Sequence, residues 1–216
     1  MRWSKLIALM VIGMLSTPAW ALFDVSTFYG IRSGTIKEGD TATFSGDDQD
    51  YAGSDINVAA HLHPWLVPIG VGGSMSMQNY KFKDDVTAEE YTLKGTIYYA
   101  EVNAWLPIKA GKFVPYVVAA YALSGELEMD FTLPPTSPVA GDFSYKLAYT
   151  GFEGELGVRY MPLPMVSLNL GYRMGLASNK LTPTSLTFNS VSMPITGITS
   201  NDITAGSINI GLGFKF

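Results

Sequence analysis

The chain has 216 residues, a formal net charge of −5 at pH 7 and no cysteine. An acidic chain argues against nucleic acid as a partner, and the lack of cysteine excludes both a disulfide framework and a lipid-modified cysteine. Hydrophobic residues make up 47% of the chain, yet no apolar run beyond the N-terminal segment is long enough for a membrane-spanning helix. This combination indicates that apolar residues alternate with polar ones.

The N-terminal segment predicts export. Arg2 and Lys5 precede a continuous apolar run over residues 6–15, and Ala19-Trp20-Ala21 has the small-x-small pattern of a cleavage site. These features predict a cleaved secretory signal peptide of residues 1–21, because the apolar run is too short to span a bilayer. The mature chain then consists of residues 22–216 as a single domain, and the loss of Arg2 and Lys5 changes its formal charge from −5 to −7.

Eight segments of the mature chain alternate between apolar and polar residues with the period of two that is typical of β-strands. They cover about residues 23–33, 54–63, 67–80, 91–106, 113–126, 145–161, 165–178 and 204–216. The fifth is the least regular, because both of its faces are apolar around residues 117–122.

The last segment alternates strictly and ends on an aromatic residue. One face carries Ile208, Ile210, Leu212, Phe214 and Phe216. In lipid every backbone polar group must be paired within the protein, which only helices and closed barrels achieve. The last strand is therefore predicted to pair with the first, over residues 23–33, and to close a ring, with Phe214 and Phe216 at the membrane surface.

The connections between the segments alternate in length. Those after the second, fourth and sixth are short and contain proline, whereas the others are longer and more polar. Short periplasmic turns and long external loops are typical of outer-membrane barrels. The sequence therefore predicts an all-β protein, an eight-stranded antiparallel up-and-down transmembrane β-barrel, in the bacterial outer membrane.

A soluble, lipocalin-like barrel is the alternative, because alternation alone does not say which face points inward. The terminal phenylalanine, the signal peptide and the aromatic residues near strand ends favour the membrane. These aromatic residues are Tyr29, Trp65, Tyr98, Trp105, Phe113, Tyr160, Tyr172 and Phe214.

With these features the mature chain resembles the small eight-stranded outer-membrane proteins, such as the OmpA transmembrane domain and the OmpX/Ail group. The resemblance rests on the signal peptide, the eight alternating strands, the loop asymmetry and the terminal Gly-Leu-Gly-Phe-Lys-Phe. It implies that the barrel-assembly machinery reads the last strand, with Phe214 and Phe216 as the signal, and that membrane lipid and lipopolysaccharide surround the barrel. No motif identifies a subfamily.

The interior of an eight-stranded barrel is just wide enough for side chains to fill it. An inward-facing charge must be paired there, which predicts a buried charge cluster of Glu101, Glu153, Glu155, Arg159 and Arg173. A turn at residues 161–164 predicts that Glu153 lies opposite Arg173 and that Arg159 lies opposite Ser167. Two hypotheses follow: the cluster plugs the barrel, or it gates a narrow pore.

No catalytic, cofactor or metal site is predicted. The only two histidines, His61 and His63, share one face of a strand, but no third metal ligand lies beside them. There is no Gly-x-Ser-x-Gly turn, and no His-x-Ser arrangement near the external rim. An enzyme that modifies outer-membrane lipid is therefore the weaker alternative, because a fold by itself implies no activity.

The fourth long loop, about residues 179–202, differs from the other three. No charged residue lies between Lys180 and Asp202, and the segment is β-prone. An exposed apolar surface of this kind suggests contact with another protein or a cell surface, or packing against the other loops. The prediction is an adhesion-like or structural role, in which the interaction residues are Leu181, Leu186, Phe188, Val191, Met193 and Ile195.

Overall fold

The computed structural model describes residues 21–37, 48–64, 68–83, 90–105, 112–133, 141–163, 165–176, 179–196 and 200–216. Within these ranges the chain forms eleven β-strands: β1 (Ala21–Ile36), β2 (Gln49–Pro64), β3 (Ile69–Lys83), β4 (Glu90–Trp105), β5 (Phe113–Leu133), β6 (Gly141–Thr150), β7 (Phe152–Leu163), β8 (Val166–Gly175), β9 (Asn179–Phe188), β10 (Val191–Pro194) and β11 (Asn201–Lys215). No helix in these ranges is long and apolar enough to cross a membrane.

The strands close into a barrel that can be described as two stacked rings of eight. In the ring next to the short connections, the order is β1-β2-β3-β4-β5-β7-β8-β11. Beyond it, β6 and β9 take the places of β7 and β8 between β5 and β11. We call these two parts the short-turn half and the long-loop half.

Pairing of β11 with β1 closes both rings. The register runs from Asp24 opposite Lys215 to Ile36 opposite Ile203. Phe23 and Phe216 exchange backbone hydrogen bonds of 3.1 and 2.8 Å at the end of the ladder. The predicted fold class and the predicted closure of the last strand on the first are therefore confirmed.

In the short-turn half the barrel wall is apolar outside and polar inside. Asp24, Glu101 and Asn209, for example, are buried in the interior. The outer face carries an apolar belt around the barrel, formed by residues such as Tyr29, Ile31, Val58, Val71, Tyr98, Val102, Leu156, Leu170, Ile210 and Phe214. This is the arrangement of a membrane barrel rather than a soluble one.

In the long-loop half the two faces are exchanged. Outward positions are polar, as at Lys81, Lys94, Glu126, Lys180 and Asp202. Inward positions form a hydrophobic core with one side chain from each of the eight strands, which we call the apolar ring: Ile36, Tyr51, Phe82, Leu93, Leu127, Leu147, Leu181 and Ile203. A soluble barrel has this arrangement, with a polar outer face and an apolar interior. The long-loop half therefore lies outside the zone that the apolar belt covers.

Strand lengths differ most from the prediction at the long-loop end. The fifth and sixth segments were predicted as residues 113–126 and 145–161, but β5 continues to Leu133 and β6 begins at Gly141. The fourth loop was predicted from residue 179, yet much of it forms β9 and β10. The prediction was wrong here because these strands turn their apolar side chains inward, against the polarity expected for a membrane wall.

The predicted signal peptide, residues 1–21, lies almost wholly outside the described residues. Ala21 is described, as the first residue of β1. Cleavage after Ala21 and the single mature domain of residues 22–216 stay predictions.

Candidate functional site

An ion network inside the short-turn half, next to its junction with the long-loop half, is built around Glu153 of β7. Its Oε1 accepts hydrogen bonds from Arg32 Nη2 at 2.5 Å, Tyr149 at 2.8 Å and Tyr99 at 3.1 Å. Its Oε2 accepts one from Arg173 Nε at 2.6 Å. Because Glu153 is almost completely buried, four donors, two of them cationic, replace the water that its carboxylate loses on folding.

Arg173 joins Glu153 to a second carboxylate, that of Glu101 on β4. Its Nη1 lies 3.2 Å from Glu101 Oε1, which also accepts a 2.6 Å hydrogen bond from Ser74. Glu101 Oε2 lies 2.9 Å from Nε2 of His61. The network therefore reaches across the barrel from β7 through β8 to β4 and β2, and it ties together walls that do not pair directly.

Two of the five predicted cluster residues lie in separate groups. Glu155 accepts hydrogen bonds from the Tyr116 hydroxyl at 2.6 Å and from Asn209 Nδ2 at 3.0 Å. Arg159 donates to Asn169 Oδ1 at 3.0 Å and pairs with Asp24 nearer the short turns. The structure thus brings Glu101, Glu153 and Arg173 together, and it places Glu155 and Arg159 beside them with other partners.

The predicted register between β7 and β8 is wrong by two residues. Arg173 lies opposite Glu155, and Arg159 lies opposite Asn169 rather than Ser167. The cause is that β7 continues to Leu163, with an irregularity in its pairing between Tyr160 and Leu163. The side-chain faces are unaffected, because a shift of two residues preserves which side of the sheet each residue occupies.

Sequence reasoning missed three charged members of the interior. Arg32 joins Glu153 and approaches Asp55 at 3.8 Å, and Asp24 is the partner of Arg159. The signal was present, because all three residues lie on the polar faces of the first two strands. What was missing was the arrangement around the ring, which brings β1 next to β11 and across from β7.

Near the short turns the interior is filled by Trp105 of β4. The ring of His63 stacks on it at a centroid distance of 4.2 Å, and Lys215 Nζ lies 3.4 Å from its centroid, a cation–π contact. The two histidines therefore contact Glu101 and Trp105. Among the described residues there is no group of three or more acidic, histidine or cysteine side chains that could hold a metal ion.

At the long-loop end, the six predicted interaction residues differ in how far their side chains are exposed. Leu181 is fully buried in the apolar ring, which differs from its predicted exposure. Phe188 stacks on Phe143 with centroids 4.6 Å apart, and Leu186 and Ile195 are half-buried. Val191 and Met193 are 63% and 47% exposed.

Beyond Leu181, β9 and β10 form a β-hairpin, and among the described strands β10 pairs only with the end of β9. Asn189 and Ser190 form its turn with φ values of 46° and 68°, the two positive values of a type I′ turn. Val191 and Met193 lie opposite Phe188 and Leu186, so all four share one face of the hairpin.

Comparison with protein families identifies the barrel. A family model described as the outer membrane protein beta-barrel domain matches residues 7–216. The chain belongs to this family. As a member of it, the barrel is an outer-membrane protein, with its short turns on the periplasmic side and its long-loop half on the external side.

Solved structures of other outer-membrane barrels have the same fold. Neisserial surface protein A is 15% identical, with a TM-score of 0.55 and coverage of 90% of this chain and 97% of that one. AlkL is 13% identical, with a TM-score of 0.53 and coverage of 93% and 92%. A weaker match, with a TM-score of 0.49 that is too low to support the fold, is the attachment invasion locus protein of Yersinia pestis in complex with the heparin analogue sucrose octasulfate, which is 15% identical with coverage of 91% and 99%.

At these identities the structural similarity shows the fold alone. No protein of curated function matches the sequence. The function must therefore be argued from the interior and from the external half of this chain.

Outside the membrane, ion pairs lie on the outer face of the external half. Lys94 Nζ donates to Asp130 Oδ2 at 2.8 Å, and Lys146 Nζ donates to Glu126 Oε1 at 2.7 Å. The hydrogen bond from Lys94 holds the pKa of Asp130 below its ordinary value, and the same contact raises the pKa of Lys94. These side chains are about half exposed, as expected for a wall in water rather than lipid.

Proposed function

We propose that this barrel is a non-enzymatic outer-membrane protein with a side-chain-filled interior, and that it contacts external partners through the hairpin of β9 and β10. The observation that carries the proposal is the exposure of Val191 and Met193 at the tip of that hairpin, 63% and 47%. The chain has no charged residue from Leu181 to Asn201. An uncharged apolar tip at the external end is a surface suited to binding another protein or a cell surface.

Two residues carry the proposed contact rather than the six of the sequence prediction. Leu181 belongs to the apolar ring, and the Phe143–Phe188 stack supports the base of the hairpin. Deleting the segment that was predicted as a loop would therefore remove β9, a strand of the barrel wall. Substitution of Val191 and Met193 alone tests the contact without removing a wall strand.

The test compares two double variants in cells that display the protein on their surface. Val191→Ser with Met193→Ser changes the exposed apolar tip. Thr187→Ala with Ser192→Ala changes a cross-strand pair on the other face of the same hairpin. We expect the first to abolish adherence of the cells to mammalian cell monolayers and to one another, and the second to leave it unchanged.

Heat-modifiable migration on a gel shows that each variant still forms the barrel. Wild-type adherence by the serine variant, in a correctly folded barrel, would refute the proposal and favour a purely structural barrel. Loss of adherence in both double variants would show that the hairpin fold rather than its apolar tip is needed.

The absence of an enzymatic role is part of the proposal. An enzyme acting on lipid of the external leaflet needs a positioned base near the external rim. His61 and His63, the only histidines, contact Glu101 and Trp105 inside the half that faces the periplasm. Mass spectra of lipid A from cells with and without the protein are expected to be identical, and a new modification would contradict this.

Export and assembly complete the proposal. Residues 1–21 act as a cleaved signal peptide, and N-terminal sequencing of the mature protein should start at Leu22. Phe214 and Phe216, which are 45% and 66% exposed at the periplasmic end of the belt, serve as the signal that the barrel-assembly machinery reads. Replacing both with serine should lower the amount of folded barrel in the outer membrane, whereas normal amounts would contradict this role.

A narrow gated pore is the second candidate, because of the buried ion network. Charged side chains that pair across a barrel can exchange partners and so open a path. Whether such a path could conduct depends on what lies above the network.

A further inference from the structure

Two barriers of different chemistry lie one above the other in this barrel. The first is the ion network of Arg32, Glu101, Glu153 and Arg173, level with the membrane belt. The second is the apolar ring, with one buried side chain from each strand of the external half. An ion that crosses the barrel must pass both.

The apolar ring is the more difficult barrier for an ion. Leu93, Leu127, Leu147 and Leu181 in it are 0–1% exposed. An ion passing between them would lose its hydration without gaining a polar partner, and hydrophobic constrictions close channels in this way by excluding water. Breaking the ion network leaves this barrier intact.

The interior on the periplasmic side is more polar than that of the external half, where Asn179 and Asn201 are the described residues with unpartnered buried polar atoms. His63, Asn103, Ser167 and Asn169 are each at least 97% buried, and each has a polar atom without a hydrogen-bond partner among the described residues. Buried polar atoms of this kind normally bond to protein or to ordered water. Their position near the periplasmic turns favours access of water from that side.

A small cavity extends the polar region up to the ion network. Its volume is about 20 Å³, and residues from both levels line it, among them Asn103, Arg159, Glu101 and Arg173. A cavity of this size holds one water molecule. Two of these residues carry a buried acceptor and a buried donor, Asn103 Oδ1 and Arg173 Nη2, for which the described part of the chain offers no hydrogen-bond partner.

We infer that the barrel is closed by two seals in series and that its interior is accessible to water from the periplasmic side only. The ion network forms the inner seal and the apolar ring the outer seal. Ion conduction requires that both be broken. This inference does not depend on the role of the β9–β10 hairpin.

The first test measures single-channel conductance in planar bilayers. Glu153→Ala breaks the inner seal. A double variant, Leu127→Ser with Leu147→Ser, breaks the outer seal, because these two leucines lie opposite each other on β5 and β6. We expect the wild type and each of these variants to be silent and the combined variant to show open steps. Conductance in either variant alone would overturn the series arrangement, and so would silence of a correctly folded combined variant.

The second test uses small substitutions and the lack of native cysteine. Ser167→Cys places a thiol on the periplasmic side of the ion network. Ala122→Cys places a buried thiol between the ion network and the apolar ring, because Ala120 lies opposite Glu153 and Leu127 of the ring lies farther along β5. The reagent is silver ion, which binds thiolates and is close to a water molecule in size, and it is added from the periplasmic side of oriented vesicles.

We expect the reagent to modify Ser167→Cys and to leave Ala122→Cys unmodified, and we expect no modification of either thiol from the external side. Equal modification of the two thiols from the periplasmic side would show that the ion network does not seal the interior. Failure to modify Ser167→Cys would show that the periplasmic side is closed as well. Either result overturns one-sided access.

Discussion

The two halves of this barrel share the same walls but bury opposite kinds of side chain. In the periplasmic half Glu153, Arg173 and Glu101 form a polar interior behind an apolar outer face. In the external half Leu127 and Leu147 form an apolar interior behind Lys146 and Glu126. The comparison shows that the medium around the barrel determines whether its outer face is apolar. The alternate positions on each strand then form an interior of the opposite polarity.

The two interiors stabilise the barrel in different ways. The periplasmic half depends on pairing each buried charge with a partner, because an unpaired charge is far more costly than the pair is stabilising. The external half depends on close packing of apolar side chains, where the cost of a change scales with the space that it leaves. Substitutions placed in matched positions can therefore separate the halves.

The largest effect is expected when Glu153 is replaced by alanine. Arg32 and Arg173 would then share a buried site without their main counter-charge, at a cost of about 3–5 kcal/mol. Leu127→Ala, the matched truncation in the external half, should cost about 2–5 kcal/mol through the cavity that it leaves. The free energy of unfolding in urea, followed by tryptophan fluorescence in lipid vesicles, measures both.

Making the Glu153 site wholly apolar distinguishes charge pairing from close packing as the source of stability. Replacing Arg32, Glu153 and Arg173 together with apolar residues of similar size should recover much of the stability, because no charge is left unpaired. If the triple variant is as unstable as Glu153→Ala, packing rather than charge pairing holds the periplasmic interior together.

An outward-facing residue replaced by arginine should lower the free energy of unfolding more in the apolar belt than in the external half. Val102 lies in the apolar belt, and Thr92 faces outward on the same strand in the external half. Val102→Arg places a charge in lipid, at a cost of about 2–4 kcal/mol near the middle of the membrane. Thr92→Arg stays in water beside Asp130 and should change the free energy of unfolding by less than about 0.5 kcal/mol.

Unfolding free energies of these two arginine variants give the membrane boundary on β4. Repeating the substitution at Tyr98, Thr96 and Lys94 should show a fall in cost between Tyr98 and Lys94. Similar costs at Val102 and Thr92 would mean that the external half is surrounded by lipid, contrary to its polar outer face.

Most of the periplasmic half could be predicted from the sequence, because alternation assigns each residue to a face. The exchange of faces in the external half could not. On β5, Tyr121, Leu123, Leu127 and Met129 all occupy odd positions, and they look like one apolar face. A register shift around Leu123, where Tyr98 pairs with Ser124 but Tyr99 pairs with Ala122, turns the first two outward and the last two inward.

The members of the ion network were predictable and their partners were not. Glu153 and Arg173 are inward-facing by alternation, but the pairing depends on where the turn after β7 lies and on which strands meet across the barrel. One irregularity near Tyr160 shifts the register of β7 and β8, and ring closure brings Arg32 to Glu153. Both are long-range properties of the sheet rather than of any local segment.

The junction between the halves depends on a glycine. Gly151 has a φ of 157°, which favours glycine, and it separates β6 from β7. The buried side chain of Asn179 packs against it, where a methyl group would collide. Gly151→Ala should therefore cost about 1–3 kcal/mol through backbone strain.

Thr150→Ala is the matched control, because Thr150 is the exposed neighbour of Gly151. If strain at the junction weakens the coupling between the two halves, the unfolding transition of Gly151→Ala should also become less cooperative. Equal stability of the two alanine variants would show that the junction tolerates a side chain.

The smallest effect is expected on the outer wall of the external half, at the pair of Lys94 and Asp130. The pKa of Asp130 is lowered in the folded barrel, so its contribution is present above the pKa of the unfolded chain and is lost as the pH falls through the folded value. Both side chains are more than half exposed, 55% and 51%, and water screens their attraction. A double-mutant cycle with Lys94→Met and Asp130→Asn should therefore give a coupling free energy near zero at pH 7, with little change on acidification.

The same cycle at Arg173 and Glu153 provides the contrast, because burial removes the screening of that pair by water. Equal coupling in the two cycles would mean that burial does not separate the halves in the way that their side chains indicate.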